Sequence, residues 1–403
     1  MVRRGVYPAE FGHYVFLMLY LLSAGSRGMR VLKAKLLIVV LIGLLVPMSG
    51  AFAQTAEQNS YARYMRTGSD QMKAGDYQAA RESFEQALRI NDVSSEGHLG
   101  LGVAYFQLRD DVYAERELAK TIELNPKESK AYQFLGELYY RKDDLETAIS
   151  YWEKAVEMNP SAADIRTRLD RIRKEHRAEK DFNREVTSHF LTKYEGREKI
   201  EAGRIVLRIL EDAYSEVGRS LSYYPEREIQ VILYSGQQFT EVTDAPGWSG
   251  GIYDGKIRLP IGGIEKETPG LRSILFHEYT HAVVRALTPR CPTWLNEGLA
   301  QYFEGRKIDS RQQETLKKLA QAGKLPALTN LEGPFMGLGG SEAQMAYLFS
   351  LSSVRYMIDT FGMYRVKGML DELAKGADTG KAISNSIMLS YEDFQRGWKR
   401  SLE

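Results

Sequence analysis

The chain is almost without cysteine: Cys291 stands alone among 403 residues. One thiol excludes an intramolecular disulfide framework and any cysteine-based structural zinc site, so a metal here has only histidine and carboxylate to hold it. Net charge is missing as well. Lys and Arg number 54 and Asp and Glu 53, a formal +1, and this balance points neither to nucleic acid nor to a strongly anionic surface. Long apolar runs are scarce. Phe11–Leu22 and Leu36–Val46 both fall short of the about 20 residues that a membrane-spanning helix requires. Histidine is rare too, at six, so two of them close together demand an explanation.

The second apolar run has a telling frame. Met29 offers a second start, Arg30, Lys33 and Lys35 precede Leu36–Val46, and Ala51-Phe52-Ala53 follows as a small-x-small cleavage pattern. Residues 1–53 therefore read as a secretory signal, with a secreted or periplasmic mature chain from near Gln54. The alternative is an uncleaved anchor, the one case in which this segment would hold the protein to a membrane.

Residues 61–160 repeat with a spacing of 34 and no gaps. Gly68, Gly102 and Gly136 share one phase, and Ala80, Ala114 and Ala148 another; Phe84, Leu118 and Trp152 recur, followed by Ala87, Thr121 and Ala155. Small residues at fixed phase let antiparallel helices approach, and bulky ones fill the groove beside them. With Tyr64, Tyr132, Tyr105, Tyr139 and the closing Pro126 and Pro160, the pattern resembles three tetratricopeptide repeats, an α-solenoid of helix hairpins. The first unit departs at Gln71 and Asp92. Such an array offers a concave surface for a protein or peptide partner, or serves as a spacer. Residues 163–181, with Ile165, Leu169, Ile172 and His176 on one stripe, read as a solvated helix capping the last repeat. Its Arg and Lys suit a capping face, and no nucleic-acid partner is expected. The repeat domain is placed at 54–181.

From residue 182 to 403 the period disappears and a small mixed sheet followed by helices is expected. The alternation of Val186, Ser188, Phe190, Thr192 and Tyr194 suggests a strand over Glu185–Glu195; a helix follows at Lys199–Leu221 and a strand at Ile229–Tyr234. An Asp-Gly turn within 251–259 signals a hairpin. Then comes His277-Glu278-Tyr279-Thr280-His281, on a helix that Thr268 can cap and Pro269 can open. Four residues apart, the two histidines lie on one side of that helix and can reach one ion; Glu278 points about 100° away. Pro289 and Pro292 break the chain, and Trp294-Leu295-Asn296-Glu297-Gly298-Leu299-Ala300 opens a second helix that can fold back and aim Glu297 at the pair.

This combination resembles the gluzincin metallopeptidases, the thermolysin and M1-aminopeptidase superfamily also called peptidase MA-like. The likeness is close over about 270–305. It implies an α+β peptidase domain with a helical C-terminal part, a Zn2+ ion held by His277, His281 and Glu297, Glu278 as general base, and a protein or peptide substrate. Two departures stand out: fifteen residues separate His281 from Glu297, fewer than is usual in either family, and the Gly-Ala-Met-Glu-Asn stretch that reads a substrate amine is absent. In this family a downstream Tyr or His often steadies the oxyanion, and Tyr347, in the apolar helix Ala343–Ile358, is the candidate by position, with a core tyrosine as the alternative. Glu304 either orients a ligand histidine or faces solvent, and Cys291 is assigned no ligand role. Ile257–Leu259 is expected to be an exposed sheet edge for an extended substrate, with Gly250, Gly251, Gly262 and Gly263 allowing close approach. Gly337-Leu338-Gly339-Gly340 gates the site or merely connects. A non-catalytic repeat scaffold carrying a peptidase-like domain is the competing reading of the whole chain.

Overall fold

The structure, a computed structural model, describes residues 57–196, 199–243, 250–262, 264–335 and 338–403. The expected signal segment, Gly263 and Gly337 lie outside these residues. The described chain forms two compact units, 57–72 with 77–124, and 73–76 with 125–403.

The first unit is helical throughout: α1 (57–74), α2 (Tyr77–Ile90), α3 (Ser95–Gln107) and α4 (Asp111–Leu124). The second unit opens with a like hairpin, α5 (Ser129–Arg141) and α6 (Leu145–Met158). The 34-residue period has a direct steric cause. A Cβ added to Gly68 would lie 2.9 Å from the Phe84 ring, to Gly102 2.9 Å from Leu118, and to Gly136 2.5 Å from Trp152. Each glycine is the seat of the bulky residue on the next helix, and any side chain there would force the pair apart. Ala80, Ala114 and Ala148 are fully buried in the same hairpins. The period even reaches the backbone: Gly75, Arg109 and Asp143, spaced by 34, all turn with positive φ (81, 63 and 62°).

Helix α7 (Ala163–Glu179) follows, with Ile165, Leu169 and Ile172 buried as expected. After it come β1 (Asn183–Val186), β2 (Phe190–Tyr194), α8 (Ile200–Leu221), β3 (Ile229–Tyr234), α9 (Gly236–Thr243), β4 (Ile252–Tyr253) and β5 (Ile257–Pro260). The sheet order is β1-β2-β3-β5-β4, with β2, β3 and β5 parallel and the outer strands antiparallel. Two expectations are corrected here. The single strand over Glu185–Glu195 is a hairpin, because Thr187 supplies the turn: its N–H donates to the Phe190 carbonyl (2.9 Å) and its hydroxyl accepts from the Phe190 N–H (3.1 Å). Nor is Ile257–Leu259 an edge, since β5 lies between β3 and β4; the terminal strand is β4. Gly250 and Gly251 do permit close approach, but to Ile274 of the next helix, where an added Cβ would meet it at 2.4 and 3.1 Å.

The two faces of the sheet differ in chemistry. Phe190, Val231, Leu233, Ile257 and Leu259 point into the main core with α8 and the C-terminal helices. On the opposite face Ile232 and Tyr234 pack on Phe239 and Val242 of α9. Beside them Lys193, Lys256 and Arg258 are buried against Asp143, Glu175 and Glu179. Lys193 Nζ donates to Asp143 (2.6 Å) and Glu179 (2.9 Å), and Lys256 Nζ to Glu175 (2.6 Å) and Asp143 (3.1 Å). Helix α7 is therefore less solvated than its composition suggests, since two of its carboxylates are sealed.

The C-terminal part is helical: α10 (Pro269–Leu287), α11 (Thr293–Phe303), α12 (Ser310–Gln321), a 3-10 turn (Leu328–Leu331), α13 (Gly340–Phe361), α14 (Met363–Ala374), α15 (Thr379–Ile387) and α16 (Tyr391–Arg400). No described helix is long and apolar enough to cross a membrane.

Candidate metal centre

Helix α10 begins as its sequence dictates. The Thr268 hydroxyl accepts from the Leu271 N–H (3.2 Å) and Pro269 fills the first turn. Leu275, Phe276, Tyr279 and Val283 anchor one side in the core, which leaves His277 and His281 on the other, 19 and 13 % exposed. Their Nε2 atoms stand 3.1 Å apart. Residues 288–292 reverse the chain, Pro292 precedes α11, and α11 brings Glu297 Oε2 to 3.7 Å from His277 Nε2 and 3.6 Å from His281 Nε2.

These spacings fit a small divalent ion. Two ligand atoms about 2.0–2.1 Å from a tetrahedral zinc lie about 3.3–3.4 Å apart, and the three separations bracket that value. Glu297 Oε2 is buried without a hydrogen-bond partner, a condition that a cation would relieve. The far nitrogens are already engaged: His277 Nδ1 with Glu304 Oε2 (2.7 Å) and His281 Nδ1 with Asn296 Oδ1 (3.0 Å). Both partners are acceptors, so each imidazole carries its proton on Nδ1 and turns the Nε2 lone pair toward Glu297. Among the described residues these three alone form such a group. Burial pulls His277 down, but Glu297 and Glu304 outweigh it and push it up to about 10. His281 is lowered by burial, and Glu297 is held below its usual range by the two imidazoles despite its burial.

Glu278 leaves the helix in another direction. It is buried, and burial, with Glu297 and Glu304 nearby, raises its carboxyl to about 7 against the pull of His277 and of the Tyr253 backbone on β4. Tyr347 sits on α13, half-buried, with its ring edge-on to Phe335. Burial first, then the charges of Glu297 and Glu278, push its phenol up to about 12. The structure thus brings His277, His281 and Glu297 together, with Glu278 on the same helix α10 and Tyr347 on α13, whose carbonyl shares the Gln301 amide with that of Glu297. Cys291 is half-buried and outside the ligand group, its thiol pushed up by burial. His176 is half-buried at the margin of its stripe.

Some parts of the centre went unread in the sequence. Asn296, beside Glu297 in the second motif, orients His281, and its position next to a ligand is the one signal that pointed to it. Gln301 Nε2 donates to the Glu297 carbonyl (3.2 Å) and the Tyr347 carbonyl (2.9 Å), tying α11 to α13. Gly298 is needed for that contact: a Cβ there would meet Val354 at 2.4 Å and the Ser350 carbonyl at 2.5 Å.

Comparison with known families agrees with this division of labour. The family model of the Peptidase MA superfamily matches residues 216–403, and tetratricopeptide repeat models match 65–126 and 129–162. The chain thus joins tetratricopeptide repeats to a Peptidase MA superfamily domain. No curated protein matches it. Similar solved structures include the first TPR domain of human RPAP3 (22% identity, 28% of this chain and 90% of that one, TM-score 0.27). Another is the Yersinia enterocolitica type III secretion chaperone SycD with a peptide of the translocator YopD (18%, 30% and 95%, 0.29).

Proposed function

We propose that this protein is a secreted or periplasmic zinc-dependent peptidase whose repeats bind a protein or peptide. One observation carries the reading: two imidazole nitrogens and an otherwise unpartnered buried carboxylate oxygen converge on one point. His277, His281 and Glu297 would hold the ion. When bound, zinc supplies Lewis acidity, polarising a carbonyl and bringing the pKa of water from about 16 toward about 7. Glu278, whose carboxyl is already raised to about 7, takes a proton from the attacking water and returns it to the leaving nitrogen. Tyr347, held protonated by the same surroundings, donates to the carbonyl oxygen as it gains charge. An extended substrate would lie along the terminal strand β4, beside Glu278.

The test is metal analysis together with Glu278→Gln in the full chain. About one zinc per chain is expected in both proteins, with hydrolysis of an unfolded protein substrate lowered by roughly 10²–10⁴-fold in the variant. No zinc after reconstitution would favour a non-catalytic scaffold, and full activity in the variant would refute the assigned base.

A further inference from the structure

Strand β4, whose leading Gly251 sits against Ile274 of α10, is only two residues long. So short a strand has little of its own to fix its register. It takes its position from β5, with Ile252 opposite Arg258 and Tyr253 opposite Ile257, and from the Asp254-Gly255 turn, where the Lys256 N–H donates to Asp254 Oδ1 (3.4 Å). Arg258 joins both. Its Nε donates to the same Asp254 oxygen (3.0 Å). Its other nitrogens reach Glu175 (2.9 Å), Glu179 (3.4 Å) and the hydroxyls of Tyr234 (2.6 Å) and Tyr140 (2.9 Å). One buried guanidinium therefore ties the hairpin turn to α7 and to the third repeat's helix α5. A planar fork with fixed donor directions can set this orientation, where a lysine would supply only charge.

We propose that Arg258 is a positioning residue for the active centre: anchored by the helix that caps the repeats, it holds the β4–β5 hairpin in place against α10, the helix that carries Glu278. This rests on Glu278 acting as described above. The last repeat and its cap are then a frame for the catalytic strand as well as part of a binding array.

Two full-length variants test it. Arg258→Lys keeps the charge and loses the fork. Asp254→Ala removes a carboxylate that is 21% exposed and leaves Arg258 with both α7 partners, so it is the milder change should the first fail to fold. Zinc content, cleavage of fluorescently labelled casein, and amide hydrogen exchange over 250–260 and 269–287 are measured on each. The expected result is unchanged zinc, kcat lower by on the order of tenfold, and faster exchange over 250–260 with α10 unaffected. Either change without the other overturns the proposal, as does exchange that rises equally in both segments, which is the mark of a merely structural role. Should the wild-type chain bind zinc but cleave nothing, the peptidase reading fails separately, and exchange alone decides whether Arg258 holds the hairpin.

Discussion

Two sets of buried charged side chains in the second unit obey opposite rules. Where α7 meets the sheet, Asp143, Glu175 and Glu179 face Lys193, Lys256 and Arg258, and each charge is met by a neighbour. Around α10 and α11, two imidazole nitrogens and a carboxylate oxygen face one another, with no lysine or arginine paired to that carboxylate among the described residues. Balanced burial makes a joint, whereas convergent donors make a receptor for something positive.

Breaking each set should therefore fail differently. The largest effect is expected from Glu297→Ala. Zinc retained after dialysis should drop from about one per chain to near zero, while far-ultraviolet circular dichroism stays the same. Glu175→Ala should do the reverse: it takes from buried Arg258 and Lys256 the carboxylate they share, leaving Lys256 only Asp143 and Arg258 only Glu179 and Asp254, so denaturant melts should show a loss of about 3 kcal/mol, with the metal ligands intact. Acid sharpens the contrast. Arg258 and Lys256 overcome burial and hold Glu175 down to about 2 from its ordinary 4.5. A depressed carboxylate stabilises fully above its unfolded pKa and loses that contribution as pH falls through the folded one. Stability should thus fall between pH 4.5 and about 2, and less steeply in Glu175→Gln.

Smaller effects probe the surroundings. Glu304→Gln keeps the shape but weakens the partner of His277 Nδ1, and should lower zinc affinity about 10–100-fold in a chelator competition. Gly298→Ala forces α11 away from α13 and should cost about 1–3 kcal/mol, read as a lower melting temperature.

What the sequence disclosed and what it hid follow the same contrast. The metal centre was legible because its donors lie within 277–304, on two helices whose caps and breaks are local signals. The repeats were legible because a steric requirement, glycine under a bulky side chain, recurs at a fixed interval. The ion cluster was not. Asp143 and Lys256, or Tyr140 and Arg258, stand more than a hundred residues apart, and in isolation Glu175 and Glu179 look like any charged helix surface. Asp143 occupies the same left-handed turn position as Gly75 and Arg109, so its chemistry was masked by a backbone role shared with the other repeats. The β1–β2 hairpin was hidden because a threonine, without glycine or proline, makes its turn.

His277, His281 and Glu297, with Asn296 and Glu304 that hydrogen-bond the imidazoles, lie on α10, on α11 and at the C-terminal cap of α11, two helices joined by residues 288–292. The phase of α11 is set by what lies behind it: Trp294, Leu295 and Leu299 sit in the core, and Gly298 lies against Ser350 and Val354. The face that meets the imidazoles is thus aimed by the face that meets the core.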